Sequence, residues 1–295
     1  MCNAISGRDK LKKLTEGPFL STAFFHYFSN LLAKMAGILG KEEDSKTYHA
    51  MAANIAKAFN QAYFNSQTGQ YDHGGQAAQA VPLFTGLVPE EKEDLVLTAL
   101  IKAILAKEGH IDAGVVGTKA IIHVLMDYHQ EEVLYEMANK RTFPSWGYWV
   151  DELNANTMFQ NWDGSQSRNH IMFGTIGDYF FKGLGGIRPI DESPGFKKFI
   201  VAPSFPPDME WVESGYSSPY GMVKSHWKRI PVGVEWTITV PANTEAEIRL
   251  PVKGEKAPYF LKQNEKRFEK IVSNKGVDQY STSLSAGVYK VLVEE

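Results

Sequence analysis

The stretch Gly183-Leu184-Gly185-Gly186-Ile187-Arg188-Pro189-Ile190-Asp191-Glu192-Ser193-Pro194-Gly195 decides the fold, because the hydrophobic period changes across it. Before it, apolar residues recur every three to four positions. Leu20, Phe24, Tyr27, Phe28, Leu31, Met35, Ile38 and Leu39 make one such run, and Gly40 follows as a stop. Tyr48, Met51, Ala52, Ile55, Phe59, Ala62 and Tyr63 make a second, closed by the turn Asn65-Ser66-Gln67-Thr68-Gly69. A short helix is expected over Gln76–Phe84. Pro89-Glu90-Glu91 opens another, with Pro pre-set for the first turn and acids at the positive end of the dipole; its face is Val96, Leu100, Ile101, Ile104 and Leu105. Lys119–Tyr128, Glu131–Lys140, Asn154–Asn161 and His170–Leu184 read the same way. About eight helices with short loops predict a stack of antiparallel helical hairpins.

After the stretch, the period falls to two. Val232, Val234, Trp236, Ile238 and Val240 alternate with Gly233, Glu235, Thr237 and Thr239, and Ala246, Ile248 and Leu250 alternate with Glu245, Glu247 and Arg249. Phe199–Ala202, Trp211–Ser217, Met222–Trp227 and Val288–Val293 are similar. Strands with one wet face, separated by turn residues, predict an antiparallel β-sandwich. The expected domains are therefore a helical part over 1–186 and a sandwich over 187–295.

Composition narrows the function. In 295 residues, 31 Lys and Arg stand against 34 Asp and Glu, so there is no basic excess for nucleic acid. The one cysteine, Cys2, excludes a disulfide framework. No apolar run reaches the roughly 18 residues of a membrane span. Met1 to Lys10 lack the apolar core of a leader, so the chain as written reads as cytoplasmic, while a longer parent could be exported.

P-loop, dinucleotide and HExxH signatures are missing from the sequence. Gly183-Leu184-Gly185-Gly186 follows a helix, which makes it a stop, and His123 on an apolar helix reads as structural. The unusual segment is Trp146–His170. Its 25 residues include Trp146-Gly147-Tyr148-Trp149-Val150-Asp151-Glu152, Thr157-Met158-Phe159-Gln160-Asn161-Trp162-Asp163-Gly164 and Ser167-Arg168-Asn169-His170. Two readings stay open. Flat rings flanked by carboxylates and amides suit a sugar, whose C–H face stacks and whose hydroxyls need partners. The same rings could instead cap helices and pack internally.

At these residues the chain resembles the C-terminal part of bacterial α-L-rhamnosidases of glycoside hydrolase family 78. The matching stretches are Ser21-Thr22-Ala23-Phe24-Phe25, Gly109-His110 with Gly114-Val115-Val116-Gly117-Thr118, Phe143-Pro144-Ser145-Trp146-Gly147-Tyr148, Trp162-Asp163-Gly164, and Asn169-His170 with Phe173-Gly174. Tyr216-Ser217-Ser218-Pro219-Tyr220-Gly221 and Val240-Pro241-Ala242-Asn243-Thr244 extend it. The resemblance implies a partial (α/α)6 barrel of antiparallel helical hairpins followed by an antiparallel β-sandwich. It also implies an inverting glycosidase with two carboxyl groups, an acid for the leaving oxygen and a base for water, roughly 6.5–9.5 Å apart. That chemistry requires no cofactor and no metal.

Three departures from the family pattern stand out. Six hairpins need twelve helices, so the chain is expected to start inside the barrel. The family's early acidic motif has no match among Met1–Glu16, where only Asp9 and Glu16 are acidic. The family's general-base Glu sits in Thr-Thr-x-Trp-Glu-x-Trp; the corresponding Asn156-Thr157-Met158-Phe159-Gln160-Asn161-Trp162 puts Gln160 there, an amide that cannot deprotonate water. The loop Gly147–Gln160 is one residue longer than usual and Gly164–Asn169 shorter. With a shifted register, Asp151, Glu152 or Asp163 could supply a carboxylate. The resemblance matches His170 to the family's sugar-contacting His, and the residue types add Trp146, Trp149, Trp162 and Asn169 as candidate sugar contacts.

The leading expectation is an α-L-rhamnosidase-like hydrolase, truncated relative to its family. A sugar-binding remnant without turnover is the alternative, and a helical interaction scaffold a third. The expected substrate is a carbohydrate, an α-L-rhamnoside, with neither nucleic acid nor membrane as a partner. An incomplete toroid further predicts self-association or completion by a separate N-terminal barrel half.

Overall fold

The computed structural model describes residues 17–251, 257–261, 267–272, 275 and 278–294; Cys2, Asp9 and Glu16 lie outside the described residues. The chain divides into two compact units, residues 1–176 and 177–295.

The first unit is a run of helical hairpins: α1 (Gly17–Ile38) with α2 (Glu42–Tyr63), α3 (Gln76–Thr85) with α4 (Glu93–Leu105), and α5 (Val115–Asp127) with α6 (Glu131–Ala138). A two-strand ribbon, β1 (Phe64–Asn65) and β2 (Gln70–Tyr71), brackets the predicted turn at Asn65–Gly69. Gly86 ends α3 in the left-handed conformation. The first helix departs from expectation. Its inward face is Phe19, Ala23, His26, Ser29, Ala33 and Ala36, mostly small side chains. Four of the bulky residues expected to form its core face, Phe28, Met35, Ile38 and Leu39, are exposed instead. Small residues let the helix axes approach: Ser45 Oγ donates to the Ala33 carbonyl at 3.0 Å, and His26 Nδ1 lies 3.0 Å from the Ala52 carbonyl.

The short helix α7 (Trp146–Asp151) follows, but no helix covers Asn154–Asn161. Asn154 adopts a left-handed φ of 50°, and the segment pairs across a loop instead. Beyond His170 the expected single helix is wound three ways: a 3-10 turn over Ile171–Thr175, α8 (Ile176–Asp178), and a π turn over Tyr179–Leu184. Gly183 accommodates that last turn, since a Cβ there would lie 2.3 Å from the Tyr179 ring.

Among its described residues the second unit contains two five-stranded sheets, with strand orders β10-β11-β8-β4-β3 and β5-β6-β7-β12-β9. The strands are β3 (Ile187–Pro189), β4 (Lys198–Val201), β5 (Trp211–Ser218), β6 (Gly221–Ile230), β7 (Gly233–Val240), β8 (Glu245–Pro251), β9 (Tyr259–Phe260), β10 (Glu269–Val272), β11 (Asp278–Leu284) and β12 (Gly287–Glu294). All described pairs are antiparallel except β4 with β8. The chain builds β5–β7 into the other sheet before returning, so β8 arrives alongside β4 in the same direction. The alternation works as read: Val234, Trp236, Ile238 and Val240 point inward with Ala246, Ile248 and Leu250, while Val232 in the preceding turn is exposed. The indole of Trp227 donates to the Leu184 carbonyl at 2.9 Å and Trp236 to Ser225 Oγ at 3.0 Å, which satisfies both buried N–H groups.

Candidate functional site

The segment Trp146–His170 folds around a ring cluster. Ser145 caps α7, its Oγ accepting from the Tyr148 N–H at 2.9 Å. Gly147 is required there, since a Cβ would lie 2.3 Å from the Lys140 carbonyl oxygen, a backbone atom. The helix delivers Trp146 and Trp149 to one place. Trp162 meets Trp146 edge-on at 5.0 Å and Trp149 at 4.8 Å; Phe173 lies 4.3 Å from Trp162, and Phe159 lies 5.4 Å from Trp149. Each indole N–H is satisfied by backbone: Trp146 on Phe173 at 3.1 Å, Trp149 on Trp162 at 2.7 Å, and Trp162 on Ala113 at 2.9 Å. Trp149 and Trp162 are buried, and Trp146 is partly exposed.

The loop over this cluster is pinned strand-like. The His170 N–H donates to the Met158 carbonyl at 2.7 Å and the Gln160 N–H to the Ser167 carbonyl at 2.8 Å. The Thr157 hydroxyl donates to the Arg168 carbonyl. The Gln160 side chain joins the clamp, with Oε1 accepting from the Ser167 N–H at 3.4 Å. This pairing holds Gln160, Asn169 and His170 on one loop, with Asn169 exposed and His170 half-buried. The Arg168 guanidinium lies 5.3 Å above the Phe159 ring.

The three alternative carboxylates are placed differently. Asp151 is gripped by Arg141, whose Nη1 reaches both carboxylate oxygens at 2.9 and 2.8 Å. That hydrogen bond, with the attraction behind it, holds the guanidinium above its ordinary pKa on an exposed surface. Glu152 is exposed just past the end of α7. Asp163 turns back to accept the Ser165 N–H at 3.0 Å, an Asx turn that shapes the tip of the loop.

A neighbouring clamp orders the stretch Gly109–Thr118. Gln76 Nε2 donates to the His110 carbonyl at 2.8 Å, and Gln76 Oε1 accepts the Asp112 N–H at 2.9 Å. Ala113, the next residue, receives the Trp162 indole. Sequence reading quoted Ser145, Ser167 and Phe173 without giving them a role, and it missed Gln76 and the Ala113 carbonyl. The Ser/Thr-rich spacing around the aromatic run was the available signal for Ser145 and Ser167; nothing local marks Gln76.

Residues 5–184 match the family model described as the bacterial alpha-L-rhamnosidase 6 hairpin glycosidase domain, and residues 186–259 match the bacterial alpha-L-rhamnosidase C-terminal domain. The chain belongs to the bacterial α-L-rhamnosidase family. An alpha-L-rhamnosidase of Streptomyces avermitilis is 31% identical over 243 residues, 79% of this chain and 23% of that protein. One from Formosa agariphila is 27% identical over 294 residues, 92% of this chain and 31% of its own length. Among solved structures, the alpha-L-rhamnosidase from Dictyoglumus thermophilum superposes with a TM-score of 0.82 at 30% identity, covering 92% of this chain and 31% of that one. The Streptomyces avermitilis alpha-L-rhamnosidase complexed with L-rhamnose gives 0.83 at 27% identity, covering 95% and 27%. The chain thus spans less than a third of these rhamnosidases. Its helical hairpins followed by β-sheets are the architecture of this family, and no helix among the described residues is long and apolar enough to cross a membrane.

Proposed function

We propose that this chain is the later part of an α-L-rhamnosidase catalytic domain together with its sandwich, and that the whole domain hydrolyses terminal α-L-rhamnosyl bonds with inversion. The division we assign is 1–186 and 187–295, which matches ending at 184 and opening at 186 support. One observation carries the reading: a rigid aromatic floor and a pinned loop hold Trp146, Gln160, Asn169 and His170 together in one segment. In this reading Trp146, Asn169 and His170 form the sugar-facing wall, while buried Trp149 and Trp162 support it from beneath.

Inversion needs an acid at the leaving oxygen and a base that activates water on the opposite face. Gln160 has no basicity near neutral pH, and its carbonyl oxygen serves the loop by accepting from Ser167. Asp151 is neutralised by Arg141, and Asp163 shapes its own turn. Among the described residues Glu152, exposed just past the end of α7, is the one of the three alternatives without such a role; in our reading the carboxyl pair comes from outside Trp146–His170, and this segment binds and orients the sugar. Gln160 also favours the second reading, sugar binding without turnover.

The test is hydrolysis of an aryl α-L-rhamnoside by the purified chain, with calorimetric titration of L-rhamnose and the Gln160→Glu variant run beside it. We expect L-rhamnose binding and no turnover by the unmodified chain, because losing one acid–base group alone costs about 10²–10⁴ in rate. Turnover by the unmodified chain would show that Gln160 does not stand at the base position. A folded chain blind to L-rhamnose would remove the wall. Activity appearing only in Gln160→Glu would place the defect at that amide.

A further inference from the structure

The pinned loop of the candidate site carries a two-against-one step. Two backbone bonds hold its arms together, the Gln160 N–H on the Ser167 carbonyl and the His170 N–H on the Met158 carbonyl. Between these bonds one arm has a single residue, Phe159, and the other has two, Arg168 and Asn169. A step of this kind leaves one residue without a ladder partner and re-aims its side chain, as a β-bulge does. Here the Arg168 guanidinium is laid over the Phe159 ring, 5.3 Å from its centre. Phe159 is buried and packs in turn on Trp149. The Thr157 hydroxyl fixes the backbone of the same residue by donating to the Arg168 carbonyl. A side chain type with much rotamer freedom to lose is thus held at both ends, and it stays exposed.

The positioned cation lacks a counter-charge. Of the two described arginines in the helical unit, Arg141 is engaged by Asp151 at 2.9 and 2.8 Å, whereas Arg168 forms no ion pair among the described residues. Asp163, on the same loop, turns back to the Ser165 N–H. A guanidinium presents a planar fork of N–H groups that matches the two oxygens of a carboxylate, and it stays charged throughout the ordinary pH range. Amide and imidazole groups such as Asn169 and His170 suit neutral hydroxyls; a fixed, unpaired fork gains most from an anion. Arg168 stands next to Asn169 and two residues from His170, on the arm that the rhamnosidase reading makes part of the sugar-facing wall. Rhamnose has no carboxyl group, so an anion held there while a rhamnosyl unit meets His170 belongs to the sugar bonded to it. We infer that Arg168 is a specificity-determining residue whose guanidinium receives the carboxylate of a uronic acid linked to the rhamnosyl unit. The inference rests on the rhamnosidase reading above and deepens it, because it names the substrate class as acidic rhamnosides.

The experiment is calorimetric titration of the full 295-residue chain with four probes: L-rhamnose, D-glucuronate, an α-L-rhamnosyl-D-glucuronate, and the methyl ester of that disaccharide. The ester keeps the shape and removes the charge. The variants Arg168→Gln and Arg168→Lys are titrated beside the unmodified chain. We expect the acidic disaccharide to bind at least about tenfold more tightly than its ester, because the fork makes charge-assisted hydrogen bonds. That ratio should shrink as salt rises from about 0.05 M to about 0.5 M, since the site is exposed. Arg168→Gln should bring the acid down to the level of the ester and leave L-rhamnose affinity unchanged. Arg168→Lys should keep part of the preference, as a charge without the fork. Equal binding of acid and ester by a chain that binds L-rhamnose would overturn this inference and leave the rhamnosidase reading standing. A preference that survives Arg168→Gln would place the anion contact elsewhere and overturn it too. Parallel loss of L-rhamnose binding in both Arg168 variants would reduce Arg168 to a brace for the loop. D-glucuronate bound as tightly as the disaccharide would make the site a general anion contact, against the inference. A folded chain that binds none of the four removes the rhamnosidase reading, and this inference falls with it.

Discussion

The sandwich and the helical unit treat their apolar surface in opposite ways. In the sandwich, Phe199, Val223, Trp227, Trp236, Ile238, Ile248 and Val291 are fully enclosed between two sheets, and the buried indoles have partners within the unit. In the helical unit, the cluster around Trp162 is equally well enclosed, yet α1 turns Phe25, Phe28, Leu32 and Met35 to the outside. A two-layer sheet closes on itself. A series of hairpins closes only when its last member meets its first, so each intermediate stage leaves one helix face uncovered. The contrast places a run of exposed apolar side chains on α1 and leaves the candidate site well packed.

The largest expected effect tests whether the two cores are independent. Trp162→Ala and Trp236→Ala each delete a fully buried indole and should cost about 3–5 kcal/mol. In differential scanning calorimetry the first should lower only the helical transition and the second only the sandwich transition. If either change shifts both transitions together, the two regions melt as one body and the comparison breaks. His170→Ala, at a half-buried loop position, serves as a control that should cost less than about 1 kcal/mol while weakening L-rhamnose binding.

A smaller effect separates the units by pH. Tyr71 and Tyr128, both in the helical unit, have hydroxyls pushed above the ordinary tyrosine value, Tyr71 by burial and Tyr128 by burial and then by its bond to Glu93. The fold therefore holds these protons more tightly than the unfolded chain does. Their contribution is complete below the unfolded pKa of about 10 and is lost as pH rises above it. The helical transition should fall first on raising pH from 9 to 11, followed by circular dichroism melts; a sandwich that falls equally would assign the alkaline loss elsewhere. The smallest effect is Asp151→Asn. The Arg141–Asp151 pair is exposed, so the helical melting temperature should not move. A marked loss would mean that Asp151 does more than hold a surface charge.

Much of this arrangement was legible in the residues. The strands over Gly233–Val240 and Glu245–Pro251 follow from strict alternation, which allows one inward face only. The helices were equally plain, but which side of α1 faces the core was not. Bulk marks an apolar side chain without saying what covers it, and α1 puts alanines inward because α2 sits close. The absence of a helix at Asn154–Asn161 was also hidden, because the partners of that segment, Ser167, Arg168 and His170, form the other arm of the same loop. At the site, residue types singled out the segment Trp146–His170 but could not separate ring cluster from sugar contact. Burial distinguishes them: Trp149 and Trp162 are enclosed, and Trp146 is partly exposed.

The distribution of tryptophan has an optical consequence. Trp146, Trp149 and Trp162 belong to the helical unit, and Trp211, Trp227 and Trp236 to the sandwich. In the first set, neighbouring indoles lie 5.0 and 4.8 Å apart at fixed angles, close enough for their excited states to couple and to produce a strong near-ultraviolet dichroic couplet. That signal originates directly under the loop bearing Asn169 and His170. It gives the candidate site a chromophore of its own, so that occupancy and order there can be followed by light without a label.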